Sequence, residues 1–494
     1  MVGVIESTAE SPNQGPDSLR NQVRSAVIWR SGTQILGQLI TWASTFLVIR
    51  ILSPADYGLF AMTSVVLVLL NIVNGFGFAN AVIREEAVER RQLQQLLGML
   101  IVLNLALAAT QLALAPLAAA YYREPMVASL LRVQALLYLT TPPIALAYAV
   151  LSRAMDFRHQ AQVNLISGIA GAAAALAGAL AGLGVWTLVL APLTLFAVRA
   201  LGLTIAARTF MLPRFDFRGA GWIARYGAVV GVTQVFWFLQ TQADIFIAGR
   251  IFSAAELGLY TTALFLTQMF VTKFVPPINE VAFSAYSRIR GDHDAYASAF
   301  LKGVRIIFVI GLPFYAGMAV TAEPLVHVVL GEKWLGTAPL VRTLAFAMPF
   351  MTLIVLFTPA LEALGRPDLS LRNSMVGSVM LPVAFLIGAH SGAQGLTLAW
   401  VAAYPMLVLI AAIWTLPALE VRLGDLADAL RPSLLAALGM AVAVLLIDRE
   451  AMLLAPLPRL AIDVVAGAAV YGLWLLIFAR DSVAELLALA RREG

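Results

Sequence analysis

The 494-residue sequence predicts an all-α integral membrane protein of about 14 transmembrane helices, and three observations lead there. The chain is 61% hydrophobic and only 12% charged, about half the charged share of an ordinary soluble domain. Its basic residues sort by alternate loops, and a segment near residue 50 recurs 200 residues later. The composition excludes a soluble globular enzyme. With no cysteine there is no disulfide, zinc-thiolate cluster or thiol nucleophile. The net charge of +5 says little as a total, its distribution says more, and no nucleic-acid partner is expected.

Residues 1–24 are polar and are expected to form a disordered cytoplasmic tail, since a signal peptide would place a short apolar core there. Fourteen apolar stretches follow, beginning near residues 25, 57, 93, 127, 160, 185, 221, 256, 297, 337, 370, 393, 430 and 460. They divide the chain into an N-terminal six-helix lobe (25–208), a cytoplasmic linker (209–219) and a C-terminal six-helix lobe (220–415). Two additional helices (416–480) and a cytoplasmic tail (481–494) complete it. No connection is long enough to hold an attached catalytic module. Assigned to the nearer face, 24 basic residues fall at the termini and in even-numbered loops and eight in odd-numbered loops, with Lys273 left inside a span. Basic loops stay on the cytoplasmic side, so both termini should be cytoplasmic and the number of spans even.

The repeat gives the lobes. Arg50-Ile51-Leu52-Ser53-Pro54-Ala55-Asp56-Tyr57-Gly58-Leu59 returns as Arg250-Ile251-Phe252-Ser253-Ala254-Ala255-Glu256-Leu257-Gly258-Leu259, and 12 of the 28 aligned positions from 33 to 60 are identical. A weaker echo pairs Gly182, Thr187 and Leu188 with Gly392, Thr397 and Leu398. An even number of spans separates the copies, so the two six-helix halves run parallel, related by an axis along the membrane normal. The repeated turn itself reads as helix-start chemistry. Its serine caps, and its acid complements the positive helix end. Arg50, Asp56, Arg250 and Glu256 are therefore assigned structural roles, with an outer-rim gate as the alternative.

Polar residues inside spans are the candidate site. Arg30, Gln34, Gln38, Thr41 and Thr45 share one helical face of span one. Gln234, Trp237, Thr241 and Asp244 repeat the stripe in span seven. Both stripes suit a cavity wall, with interhelical hydrogen bonds as the alternative. Lys273 lies deep in span eight, next to a Pro276-Pro277 pair that is a candidate hinge. Lys273 and Arg30 either face an anionic cargo or, for Lys273, pair with Glu280. Asp244 is the candidate ion-coupling carboxylate, because ionisable groups inside a membrane are costly and more often functional. The chain has no GxxxxGK[ST] loop and no HExxH spacing, so neither ATP hydrolysis nor a catalytic metal is expected.

Four stretches carry a family resemblance: residues 48–59, Leu151-Ser152-Arg153-Ala154-Met155-Asp156-Phe157-Arg158, Gly184-Val185-Trp186-Thr187-Leu188-Val189, and the run from Pro276 to Arg288. The sequence resembles the Wzx-type oligosaccharide flippases, in the branch that exports colanic acid, succinoglycan and xanthan repeat units. These belong to the multidrug/oligosaccharidyl-lipid/polysaccharide exporter superfamily. The resemblance implies two six-helix lobes in a V with two extra helices. It also implies a non-enzymatic, cofactor-free flippase for undecaprenyl-pyrophosphate-linked oligosaccharide in a bacterial inner membrane. Membrane lipids, a polysaccharide polymerase and other assembly proteins are the implied partners. An ion-coupled multidrug antiporter on the same fold and a membrane scaffold of the assembly machinery are the competing readings.

Overall fold

The computed structural model describes residues 37–38, 40–72, 90–216 and 221–478, with the backbone alone over 221–234. Nearly every described residue is helical. In chain order the helices are α1 (Ile40–Ile51), α2 (Pro54–Asn71), α3 (Arg90–Tyr122), α4 (Pro125–Gln134), α5 (Leu137–Arg153), α6 (Phe157–Leu180) and α7 (Trp186–Ala207). They continue as α8 (Gly221–Ile251), α9 (Ala254–Lys273), α10 (Val275–Arg288), α11 (His293–Val320), α12 (Ala322–Val329) and α13 (Ala338–Leu364). The last four are α14 (Pro367–Ala389), α15 (Gly392–Ala418), α16 (Leu423–Ala451) and α17 (Pro456–Phe478).

Eleven helical segments among the described residues are long and apolar enough to cross a membrane. From residue 57 onward a helix begins close to each expected start, while the first expected span lies partly outside the described residues. The protein is thus an all-α, multi-pass membrane protein. One expected span, from residue 256, breaks into α9 and α10 at Phe274. Pro276 and Pro277 lack the N–H groups that would hold the carbonyls of Thr272 and Lys273, so the helix stops and restarts.

The described residues fall into two compact units. Unit one gathers those within 1–48, 74–112 and 132–227; unit two gathers those within 49–73, 113–131 and 228–494. In unit one small residues set the packing. A Cβ at Gly171 would come within 2.8 Å of Leu195, and one at Gly202 within 2.7 Å of Val163, so these glycines let α6 and α7 approach closely. A leucine and alanine cluster (Leu96, Leu97, Leu100, Leu146, Ala149) joins α3 to α5. The segment after α7 straps onto α3: Arg214 N–H donates to Gln94 carbonyl at 2.9 Å, and Arg91 pairs with Asp216 at 3.2 Å.

Unit two has an aromatic core, with Trp334, Trp400, Tyr260, Tyr296, Phe300, Phe357 and Phe385 all fully buried. Its organising contact is the repeated turn. Ser53 and Ser253 each accept a hydrogen bond from the backbone of the acid three residues on, starting α2 and α9. The two helices then cross through their glycines. A Cβ on Gly58 would collide with the Ala254 carbonyl, and one on Gly258 with the Pro54 carbonyl. The repeat therefore builds a reciprocal contact, each copy's glycine facing the other copy's helix start. The weaker echo is also present in the backbone: Gly182 and Gly392 have φ of 73° and 74°, and Thr187 and Thr397 are both fully buried. The last carbonyls of α1 are met from the 3-10 turn Glu332–Thr337. Trp334 Nε1–H donates to Ile49 at 2.9 Å and Lys333 Nζ to Ile51 at 2.6 Å, satisfying orphan groups at a negative helix end.

Candidate functional site

In unit one, α1, α5, α6 and α7 enclose an open cavity of about 420 Å³. Gln38 and, in α1, Thr41 line it, together with Tyr148, Gln160, Asn164 and Arg199. Phe157, Leu165 and Leu195 supply its apolar wall. The hydroxyls of Thr41 and Thr45 donate back along α1, to the carbonyls of Gly37 at 2.7 Å and Thr41 at 2.8 Å. They are thereby satisfied without an interhelical partner. Ser44, off that face, ties α1 to α6 through the Ala172 carbonyl at 3.3 Å.

Arg199 is the sole ionisable residue of α7 and the one cation among the cavity's described lining residues. Its Nε–H donates to Ser167 Oγ at 3.3 Å, and its guanidinium lies 5.5 Å from the centre of the Phe196 ring. The guanidinium carries five donors in a planar fork, and one of them has a partner among the described residues. Gln160 is buried and held by Ser152 Oγ at 3.0 Å. Such a site can take an anionic, hydroxyl-bearing ligand: a fork for phosphoryl oxygens and amides for sugar hydroxyls.

Unit two holds the second polar centre. Asp244 is 2% exposed and accepts from Tyr260 O–H at 2.7 Å. Trp400 Nε1–H donates to the same Tyr260 oxygen at 2.8 Å. Trp400 is stacked between Phe385 and Tyr404, which fixes the indole's direction. The other oxygen of Asp244 is buried with no hydrogen-bond partner, leaving a coordination position for a proton or cation.

The structure brings together Gln38 and Thr41, and separately Asp244 with Tyr260 and Trp400. Trp237 is half exposed, and Thr241 is half-buried and bonds back to the Trp237 carbonyl at 2.9 Å. Lys273 is exposed at the end of α9, and among the described residues it forms no ion pair with Glu280. Arg30 and Gln34 lie outside the described residues, as does the side chain of Gln234. Sequence reasoning missed Arg199, Gln160, Asn164 and Tyr148. A lone arginine in a 22-residue apolar helix was the available signal for the first.

A family model described as a polysaccharide biosynthesis protein matches residues 47–339. The chain is 24% identical over 472 residues to the succinoglycan biosynthesis transport protein ExoT of Rhizobium meliloti (strain 1021), covering 93% of this chain and 94% of that protein. It is 23% identical over 384 residues to the lipopolysaccharide biosynthesis protein WzxC of Escherichia coli (strain K12), covering 77% and 78% respectively. Among solved structures, the lipid II flippase MurJ in an inward closed conformation matches with a TM-score of 0.74 at 14% identity, over 92% of this chain and 100% of that one. That likeness shows a shared fold.

Proposed function

Because the chain belongs to the polysaccharide biosynthesis protein family, whose model covers more than half its length, we propose that it flips lipid-linked oligosaccharides. The cargo is an undecaprenyl-pyrophosphate-linked repeat unit, moved from the inner to the outer leaflet of a bacterial inner membrane. Pyrophosphate and sugars cannot cross about 30 Å of hydrocarbon unaided, whereas the lipid tail can remain in the bilayer. The observation that carries the reading is a polar cavity whose one arginine among the described residues, Arg199, is set among apolar helices. Arg199 takes the head group, Gln38, Thr41, Gln160 and Asn164 meet sugar hydroxyls, and Arg30 and Lys273 add positive charge along the route. Gln34, Gln234, Trp237 and Thr241 extend the polar surface.

Movement is by alternating access of the repeat halves 25–208 and 220–415, with both termini cytoplasmic. Asp244 is the coupling group, supported by its unpartnered buried oxygen. That same carboxylate favours the second reading, an ion-coupled antiporter of small molecules. A polymerase and other assembly proteins are the proposed partners at the outer face.

Purified protein in liposomes should move a lipid-linked oligosaccharide, and the chain should restore glycan export to a flippase-null strain. A charge-assisted hydrogen bond contributes about 1.5–3 kcal/mol, so Arg199→Ala, normally inserted, should lower export about 10- to 100-fold. Full export by Arg199→Ala would remove that residue from the site. Drug resistance without oligosaccharide movement would establish the antiporter instead.

A further inference from the structure

The helices α16 and α17 have no partner in the repeat, and their shared end carries a charge cluster that the proposed transport site does not use. Arg459, in the first turn of α17, grips Asp448 of α16 with two hydrogen bonds, Nε–H to Oδ1 at 2.5 Å and a terminal N–H to Oδ2 at 2.9 Å. One helical turn further along α17, Asp463 is 1% exposed, and neither of its carboxyl oxygens has a hydrogen-bond partner. Its carboxyl sits within hydrogen-bond range of that of Asp448. An ionised carboxylate only accepts. Two ionised carboxylates in contact would repel, and the buried oxygens of Asp463 would have no donor at all.

The surrounding charges leave the cluster one acid in excess, because Arg459, which also acts on Asp463, is already gripped by Asp448. Arg342 of α13 and Glu323 of α12 act on this cluster electrostatically. His327 of α12 instead faces Glu332 at 3.8 Å. The side chains of Arg449 and Glu450 are exposed. α11 meets α17 through a neutral bond, Tyr471 O–H to the Val309 carbonyl at 2.7 Å. The two arginines are thus balanced by Asp448 and Glu323. Among the described residues no group of three or more histidines and acids gathers to hold a metal ion.

We propose that Asp463 and Asp448 form a proton-binding site that holds one shared proton between them. The proton comes from solvent at the 452–455 turn. It sits on Asp463, whose O–H then donates to Asp448, while Arg459 holds the rest of the Asp448 carboxylate. Occupancy pins α17 against α16. Release leaves two anions in contact and loosens the pair of helices. The site does not depend on which cargo the chain carries, so it can be tested without transport.

The full chain in nanodiscs, examined by infrared difference spectroscopy across pH, should show one carboxylic-acid carbonyl band at neutral pH. Asp463→Asn should remove that band. Asp448→Asn should remove it too, because Arg459 is then free to pair with Asp463 and ionise it. Asp463→Asn keeps shape and supplies an amide donor to Asp448, so its melting temperature should lose the part of the wild-type pH dependence that comes from this proton. Between the ordinary aspartate range, where the unfolded chain loses the proton, and the pH at which the native pair releases it, the native state binds one proton more than the unfolded chain, so the folding constant falls about tenfold per pH unit and levels off above release. Isotope-labelled aspartate in the unmodified chain gives the same spectral reading without any substitution. The proposal is overturned if no acid band belongs to Asp463. It is also overturned if sodium chloride, against an organic-cation chloride at fixed pH, stabilises the wild type but not Asp463→Asn, since the occupant is then a metal cation.

Discussion

The two copies of the repeated turn share a backbone and differ in what their charged side chains reach. Ser53 and Ser253 cap alike, and Gly58 and Gly258 face each other's helix starts alike. The acids diverge. Asp56 folds back on its own turn, accepting from Ser53 N–H at 2.9 Å and Ser53 O–H at 2.6 Å. Glu256 reaches outward and accepts from Ala393 N–H at 2.9 Å, capping α15 instead. One methylene separates the two outcomes. The arginines diverge as well: Arg50 donates to the Val328 carbonyl at 3.2 Å, whereas Arg250 lies 5.7 Å from the centre of the Tyr121 ring. A duplicated segment keeps the features whose loss would cost both copies at once, namely the caps and the glycine crossing. Its longer side chains adapt to whichever neighbour each copy meets.

The largest effect should come from breaking what is shared. A Cβ on either glycine meets a backbone carbonyl, which has no rotamer to move aside. Gly58→Ala and Gly258→Ala should each cost about 1–3 kcal/mol of stability by overpacking. Because both press on one crossing, the double variant should cost less than the sum of the singles. Thermal melting of the purified protein checks this. Additive costs, or a cost at one glycine alone, would show that the crossing is not reciprocal.

How much of this was legible in sequence varies with the physics. Helix positions were legible because apolar runs of spanning length have few other uses, and the break at Phe274 followed from two adjacent prolines that each remove a donor. The caps were legible because they are local, a serine and an acid three residues apart. The crossing was not, since a glycine's need for closeness names no partner. Arg199 was counted with the cytoplasmic loop residues because it lies near the end of α7, and side-of-membrane counting does not distinguish an arginine beyond a helix from one lining a cavity. Tyr260 and Trp400 escaped notice because aromatics are ordinary in apolar helices. Only the fold puts the Tyr260 hydroxyl against Asp244 and the Trp400 N–H against that hydroxyl. The Asp448–Arg459 pair spans a turn of four residues, and the buried Asp463 beside it is visible only once α16 and α17 are packed.

The acids test the divergence directly. Asp56→Ala removes the acceptor half of a capping box, and Glu256→Ala removes a cap on a different helix. Each should cost about 1 kcal/mol, so stability alone will not tell them apart. Hydrogen exchange will. Asp56→Ala should speed exchange in the first turn of α2. Glu256→Ala should leave the start of α9 protected, because Ser253 still accepts from the backbone of residue 256, and should speed exchange around Ala393. Glu256→Asp, one methylene shorter, should behave like the alanine variant at Ala393. If Glu256→Ala loosened α9 instead, the two copies would be alike in their acids after all.

The arginines give the smallest and finest contrast. Arg50 is exposed, and its hydrogen bond among the described residues goes to a carbonyl, so Arg50→Ala should change stability by no more than about 0.5 kcal/mol. Arg250 has a terminal nitrogen that is buried with no hydrogen-bond partner, and the Tyr121 ring, itself stacked 4.5 Å from Phe246, supplies its compensation. A cation–π contact of this kind contributes about 0.5–1 kcal/mol or more as it is desolvated. A double-mutant cycle of Arg250→Ala with Tyr121→Leu should therefore return a coupling of about that size. Changing Tyr121 in an Arg50→Ala background should simply add. A coupling of zero at Arg250 would make the two arginines equivalent and leave the acids as the only charged residues on which the repeat has diverged.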